Sequence, residues 1–149
     1  RSARPHRYVD EMFGVDELDK VLPRADIVLI AAPLTNETRG LIGRRQLGLM
    51  KPHCGLINLG RAQVVDYDAL MDKLHRGRLS GAILDVFDPE PLPSDSPLWS
   101  TPNLIMTPHV ASDDEEEYMP RTIDLVFDNS RRYLAGRPIR NQVRRHLEY

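Results

Sequence analysis

Residues 55–66 read GLINLGRAQVVD, and they hold a strand, a turn and the start of a helix in twelve positions. The apolar run from Leu56 to Leu59 has the length and character of a buried strand, and it stops at Gly60 with Arg61 directly behind it. Asp66 is a good helix N-cap, and Leu70, Met71 and Leu74 behind it fall on one helical face. Gly77, after His75 and Arg76, ends that helix. The same alternation extends in both directions. Upstream, residues 16–24 place Leu18, Val21 and Leu22 at helical spacing behind Asp16. Residues 25–33, ADIVLIAAP, form an apolar run closed by Pro33, and Leu41, Ile42, Leu47 and Met50 suggest short helical turns broken by glycines. Downstream, GAILDVF at 81–87 is a third apolar run. A loop with Pro89, Pro91, Pro93, Pro97 and Pro102 leads to a fourth, NLIMT at 103–107. Strands that alternate with helices, and that are continuously apolar, predict a parallel sheet covered on both faces. The fold class is α/β.

After His109, Ser112 with Glu115 three residues later has the form of a capping box, and the acidic residues 113–117 suit an electropositive helix start. Met119, Ile123, Val126, Phe127 and Leu134 give the stripe of a long helix. Pro120 interrupts it, so a start near Met119, with the proline in the first turn, is the other reading. Gly136 and Pro138 end this helix, and a polar tail follows.

The chain has 149 residues, 41% hydrophobic and 28% charged, with a net charge of −2. That is ordinary for a globular protein and gives no reason to expect nucleic acid or an anionic membrane as partner. A single cysteine, Cys54, excludes an internal disulfide framework and fits a reducing compartment. The longest apolar run, 27–33, is too short to span a bilayer, and no signal-peptide pattern opens the chain. The expectation is a cytoplasmic protein. His53 beside Cys54 is no metal site, and no metal ligand set is expected.

In open α/β sheets, ligands lie outside the carboxyl ends of the strands. Arg61 follows the second apolar run, Asp85 sits at the end of the third and His109 follows the fourth, so all three belong to one rim. Each alone has an ordinary reading: a solvated charge, a turn cap, a loop histidine. Together they suit one task. An arginine can grip a carboxylate in two places and polarise an adjacent carbonyl. A histidine can pass one proton near neutral pH. A neighbouring carboxylate, for which Glu90 between two prolines is the candidate, would orient the imidazole. This set matches proton-coupled hydride transfer to a 2-oxo acid.

The motifs INLGRAQVVD, GAILDVFDPEPLP with SPLW, and NLIMTPHVAS resemble, in order and spacing, the D-isomer-specific 2-hydroxyacid dehydrogenases, with glyoxylate/hydroxypyruvate reductase-like members nearest. The resemblance runs from Arg1 to about Val143. It implies a Rossmann-type doubly wound parallel sheet. It also implies that Arg61 binds the substrate carboxylate and carbonyl, that Glu90 pairs with the histidine, and that His109 is the acid/base. Pro33, Thr38, Gly60, Asp85, Ala111 and Ser112 are the positions it places around the cofactor.

Two departures stand out. Ala62 replaces the glycine that the family usually has after the arginine, which bears on the local turn. The second is that no G-x-G-x-x-G turn occurs, although a dinucleotide domain receives the pyrophosphate there. The resemblance therefore implies an incomplete domain, lacking its first two strands and glycine-rich loop. Residues 1–136 would be the C-terminal part of the dinucleotide-binding domain, and 137–149 a tail returning to an absent substrate domain. The opening Arg1-Ser2 resembles NADP-preferring members, where guanidinium and hydroxyl meet the 2′-phosphate; NADP is favoured over NAD. The expected function is NAD(P)-dependent oxidoreduction of a small 2-oxo or 2-hydroxy acid by a homodimeric parent enzyme. The alternatives are a cofactor-responsive, corepressor-like binding protein and a catalytically inactive fragment that does not bind NADP tightly by itself.

Overall fold

The structure is a computed structural model that describes residues 7–112, 114 and 116–143. Arg1 and Ser2, the expected 2′-phosphate contacts, lie outside the described residues, as do Asp113 and Glu115. The chain divides into two compact units, Arg1–His109 and Val110–Tyr149.

The first unit carries four strands, β1 (Ile27–Ile30), β2 (Gly55–Asn58), β3 (Gly81–Leu84) and β4 (Leu104–Met106). They lie side by side in chain order, all parallel. Three helices join it: α1 (Leu18–Val21), flanked by 3₁₀ turns at Val15–Glu17 and Leu22–Arg24, α2 (Arg44–Leu49) and α3 (Tyr67–His75). Asp66 caps α3 as expected, its Oδ1 accepting the Ala69 N–H at 2.9 Å. α3 turns Ala69, Leu70 and Leu74 inward. They pack with Leu22, Leu47, Leu56, Leu79 and Leu84 in one core. Burial of each such leucine contributes about 1.5–3 kcal/mol. The ammonium group of Lys73 on α3 donates to the Leu47 carbonyl on α2, tying the two helices together.

Within the first unit, the described helices pack on one face of the sheet. Leu29, Ile57, Ile83 and Ile105 are register partners across all four strands. Of this row, Leu29 and Ile105 are exposed, at 57% and 61%. The neighbouring row, Ile30, Asn58, Leu84 and Met106, faces the core, with Asn58 and Leu84 fully buried. Strand order gives the reason. Each crossover steps to the next strand in the same direction, and parallel crossovers are right-handed almost without exception. Successive connections therefore fall on the same face.

In the second unit, α4 (Tyr118–Leu134) starts where the proline-in-first-turn reading puts it. Pro120 lies where a missing N–H costs nothing. The Asp114 carboxylate accepts from the N–H groups of Glu116 and Glu117 at 2.9 and 3.0 Å. Gly136, at φ +65°, closes the helix. Asn129 on α4 then exchanges two hydrogen bonds with the Arg140 backbone, folding the following residues back on the helix.

Candidate active site

β2 delivers Arg61 by a short, tightly packed exit. A Cβ on Gly60 would stand 2.6 Å from the Ala32 carbonyl oxygen, so the glycine is required by contact with the backbone that leaves β1. Arg61 itself is extended (φ −141°, ψ 147°), and Ala62 opens a 3₁₀ turn to Val64. Ala62 is buried and its φ is not positive, so alanine fits here where the family usually has glycine. One guanidinium nitrogen of Arg61, Nη1, donates to the Gly60 carbonyl at 2.7 Å.

Glu90 and His109 meet. Oε2 of Glu90 is 2.9 Å from Nδ1 of His109, and Oε1 accepts the Phe87 N–H at 2.7 Å. With a carboxylate on Nδ1, that nitrogen carries the proton and Nε2 is left for a ligand. His109 adopts a left-handed backbone (φ 58°), one of three non-glycine residues that do so among those described. Its N–H donates to the Thr107 carbonyl at 3.0 Å. Such a conformation costs on the order of 1–2 kcal/mol and persists where the surroundings enforce it. The Glu90 carboxyl is held below the usual carboxylate range. The His109 hydrogen bond is the main cause and the Phe87 N–H the second; a small burial effect opposes them, and the charges of His109 and Arg61 add to the lowering. Arg61 is thus within electrostatic reach of the pair, although it does not line the adjoining cavity.

That cavity, about 630 Å³, lies beside His109 and Glu90, with Phe87, Leu92, Trp99 and Met106 as apolar walls. Its size is that of a small-ligand pocket. Trp99 is fixed by its indole N–H, which donates to the Pro93 carbonyl at 2.8 Å.

The remaining expected residues sit as follows. Asp85 is buried at the end of β3, and its Oδ1 accepts the Thr107 hydroxyl at 2.5 Å, tying the exits of β3 and β4 together. Thr38 closes the turn after β1, donating to the Pro33 carbonyl at 2.6 Å and accepting the Thr35 N–H at 2.8 Å. Ala111 and Ser112 belong to the second unit. Among the described residues no group of three or more His, Cys, Asp or Glu could hold a metal ion, and no helix is long and apolar enough to cross a membrane. Sequence reasoning passed over Asn58, Tyr67 and Thr107, whose side chains brace this rim. An asparagine inside an apolar strand is the signal that could have found the first, because a buried amide needs partners.

Residues 1–111 match the model of the D-isomer specific 2-hydroxyacid dehydrogenase NAD binding domain. The glyoxylate/hydroxypyruvate reductase B of Pectobacterium carotovorum is 49% identical over 111 residues, 73% of this chain and 35% of the relative. A D-isomer specific 2-hydroxyacid dehydrogenase from Xanthobacter autotrophicus Py2, solved with NADPH and MES, superposes with a TM-score of 0.90 at 39% identity. That alignment covers 100% of this chain and 60% of the other. An NADPH-dependent glyoxylate/hydroxypyruvate reductase from Sinorhizobium meliloti, solved with NADP and sulfate, gives a TM-score of 0.90 at 30% identity, over 100% and 48% of the two chains. The chain spans less than half the length of the curated relatives it matches. With more than half of its residues matched, the chain belongs to the D-isomer specific 2-hydroxyacid dehydrogenase family, within its NAD binding domain.

Proposed function

We propose that this chain forms the arginine, glutamate and histidine side of the active site of an NADP(H)-dependent reductase of small 2-oxo acids such as glyoxylate or hydroxypyruvate. The observation that carries the reading is the Glu90–His109 hydrogen bond beside a ligand-sized cavity, with Arg61 one strand exit away. In this reading Arg61 grips the substrate carboxylate and polarises the carbonyl. His109 gives the proton from Nε2 to the carbonyl oxygen, while Glu90 fixes the orientation of the ring. Nicotinamide supplies the hydride when bound.

The rim fits the nicotinamide end of such a cofactor: the strand exits carry small or neutral groups at Ala32, Pro33, Thr38 and Gly60, with the carboxylate of Asp85 turned in to Thr107. A glycine-rich pyrophosphate cradle is not in this sequence. The NADP preference rests on the Arg1-Ser2 pattern and on the ligands of the Xanthobacter and Sinorhizobium proteins.

The test is NADPH oxidation by the protein as its gene encodes it, with glyoxylate and hydroxypyruvate. His109→Gln should lower kcat by about 10²–10⁴-fold, and Arg61→Ala should raise KM as well as lower kcat. Wild-type turnover in His109→Gln would refute the assignment. No turnover with any 2-oxo acid would favour a binding role.

A further inference from the structure

One continuous chain of hydrogen bonds, buried at its Asn58 end, runs from the Arg61 turn to the His109 ring. Asn58, the last residue of β2, is fully buried and uses its whole amide. Oδ1 accepts the Gly60 N–H at 3.0 Å, and Nδ2 donates to the Arg61 carbonyl at 3.1 Å and to the Tyr67 hydroxyl oxygen at 3.0 Å. The Tyr67 hydroxyl in turn donates to the Val86 carbonyl at 2.8 Å. That carbonyl and the Phe87 N–H belong to one planar peptide unit, so fixing the first fixes the second. The Phe87 N–H holds Oε1 of Glu90, and Oε2 of Glu90 holds His109.

We propose that the Tyr67 hydroxyl is a positioning group that couples the Arg61 turn to the Glu90–His109 pair by setting the orientation of the 86–87 peptide. The proposal rests on the functional reading given above for those three residues. Tyr67 is suited to the task because it occupies both hydroxyl functions at once, accepting from the end of β2 and donating to the segment that follows β3. Burial pushes its pKa far up, so the group stays a neutral donor throughout the working pH range. Phenylalanine would keep the ring and its packing and remove both links. The two loops are also linked at their surface, where Gln63 Nε2 donates to Asp88 at 2.7 Å; the phenol is the link that reaches the 86–87 peptide.

The test is ¹³C NMR titration of the Glu90 side-chain carboxyl in the labelled chain, in wild type, Tyr67→Phe and His109→Gln. His109→Gln removes the main cause of the low Glu90 titration and should move it up. Tyr67→Phe should move it in the same direction by a smaller amount, and exchange of the Phe87 amide should become about tenfold faster. A merely structural hydroxyl would lower Tm and leave the Glu90 titration unmoved, and that result overturns the proposal. If His109→Gln itself leaves Glu90 unmoved, the pair fails, and both the functional reading and this coupling fall with it. A variant that keeps the hydroxyl, 3-fluorotyrosine at 67, guards against loss of fold. Its altered phenol should shift the Val86 carbonyl and Phe87 amide resonances together, and movement of the first alone overturns the coupling.

Discussion

Gly60→Ala tests the tightest feature of the Arg61 turn. The added Cβ would lie 2.6 Å from the Ala32 oxygen and 3.3 Å from its nitrogen, both backbone atoms that no rotamer change can move aside. Ordinary contact begins at 3.4 Å, so the exits of β1 and β2 must part by about 0.8 Å. They are pinned next to the clash by the Leu59 N–H, which donates to the Ile30 carbonyl at 2.9 Å. Overpacking of this kind costs about 1–3 kcal/mol. With a urea slope of about 1–3 kcal/mol per molar, the unfolding midpoint should fall by roughly 1 M. Gly48→Ala is the matched control. It sits in α2, its φ is not positive, and nothing lies within 4 Å of the new Cβ, so alanine should raise stability by about 0.5–1 kcal/mol. Equal midpoints for Gly60→Ala and wild type would show that the strand exits are looser than this geometry, and would remove the steric reason for glycine at that position.

Two further outcomes follow from single contacts. Asp66→Ala removes the N-cap of α3 and should cost about 1 kcal/mol in urea unfolding, with Asp66→Asn recovering most of it. Glu90 has a folded pKa below its unfolded one, so its stabilising contribution is present above the unfolded pKa and lost as pH falls through the folded value. Unfolding curves recorded from neutral to acid pH should therefore show Glu90→Gln less stable than wild type at neutral pH and the gap closing in acid. A constant gap would mean that the carboxylate is not held by its partners.

The fold was legible because its signals are local. Four apolar runs separated by caps and turns, with Asp66 opening α3 and Gly77 following it, predict parallel strands and helices without knowledge of strand order. The face on which the first unit's connections fall was not legible for the same reason. Whether helices fall on one face or both depends on the direction in which each crossover steps, and no residue encodes that locally. The strand order β1-β2-β3-β4 puts the first unit's helices on the side of the row through Asn58 and Leu84, not on that of Leu29 and Ile105. The start of α4 shows a competition between two local signals. The Ser112–Glu115 pattern and the first-turn preference of Pro120 point to different starts. The helix starts at Tyr118, where the proline falls in the first turn and its missing N–H is not needed.

At the candidate site, the proposed chemical groups could be picked out in the sequence and their bracing could not. Arg61 and His109 are marked as candidates by residue type and strand-end position, and Glu90 by its place between two prolines. Tyr67 reads there as the first residue of a helix, and Asn58 as one more position in a buried strand. Their roles arise because parallel β2 and β3 bring Asn58 beside Leu84, and so bring Val86 within reach of the start of α3. Contacts of that kind are set by register, across 19 residues of sequence between Tyr67 and Val86. Asn58 nevertheless carries its own sign. A buried amide without partners costs about 1–3 kcal/mol, so a strand interior that keeps an asparagine among leucine and isoleucine must supply partners for it. In this chain the partners are the backbone of the Arg61 turn and the phenol that reaches toward Glu90. The one polar residue in an otherwise apolar β2 is therefore the residue that joins the strand to its site.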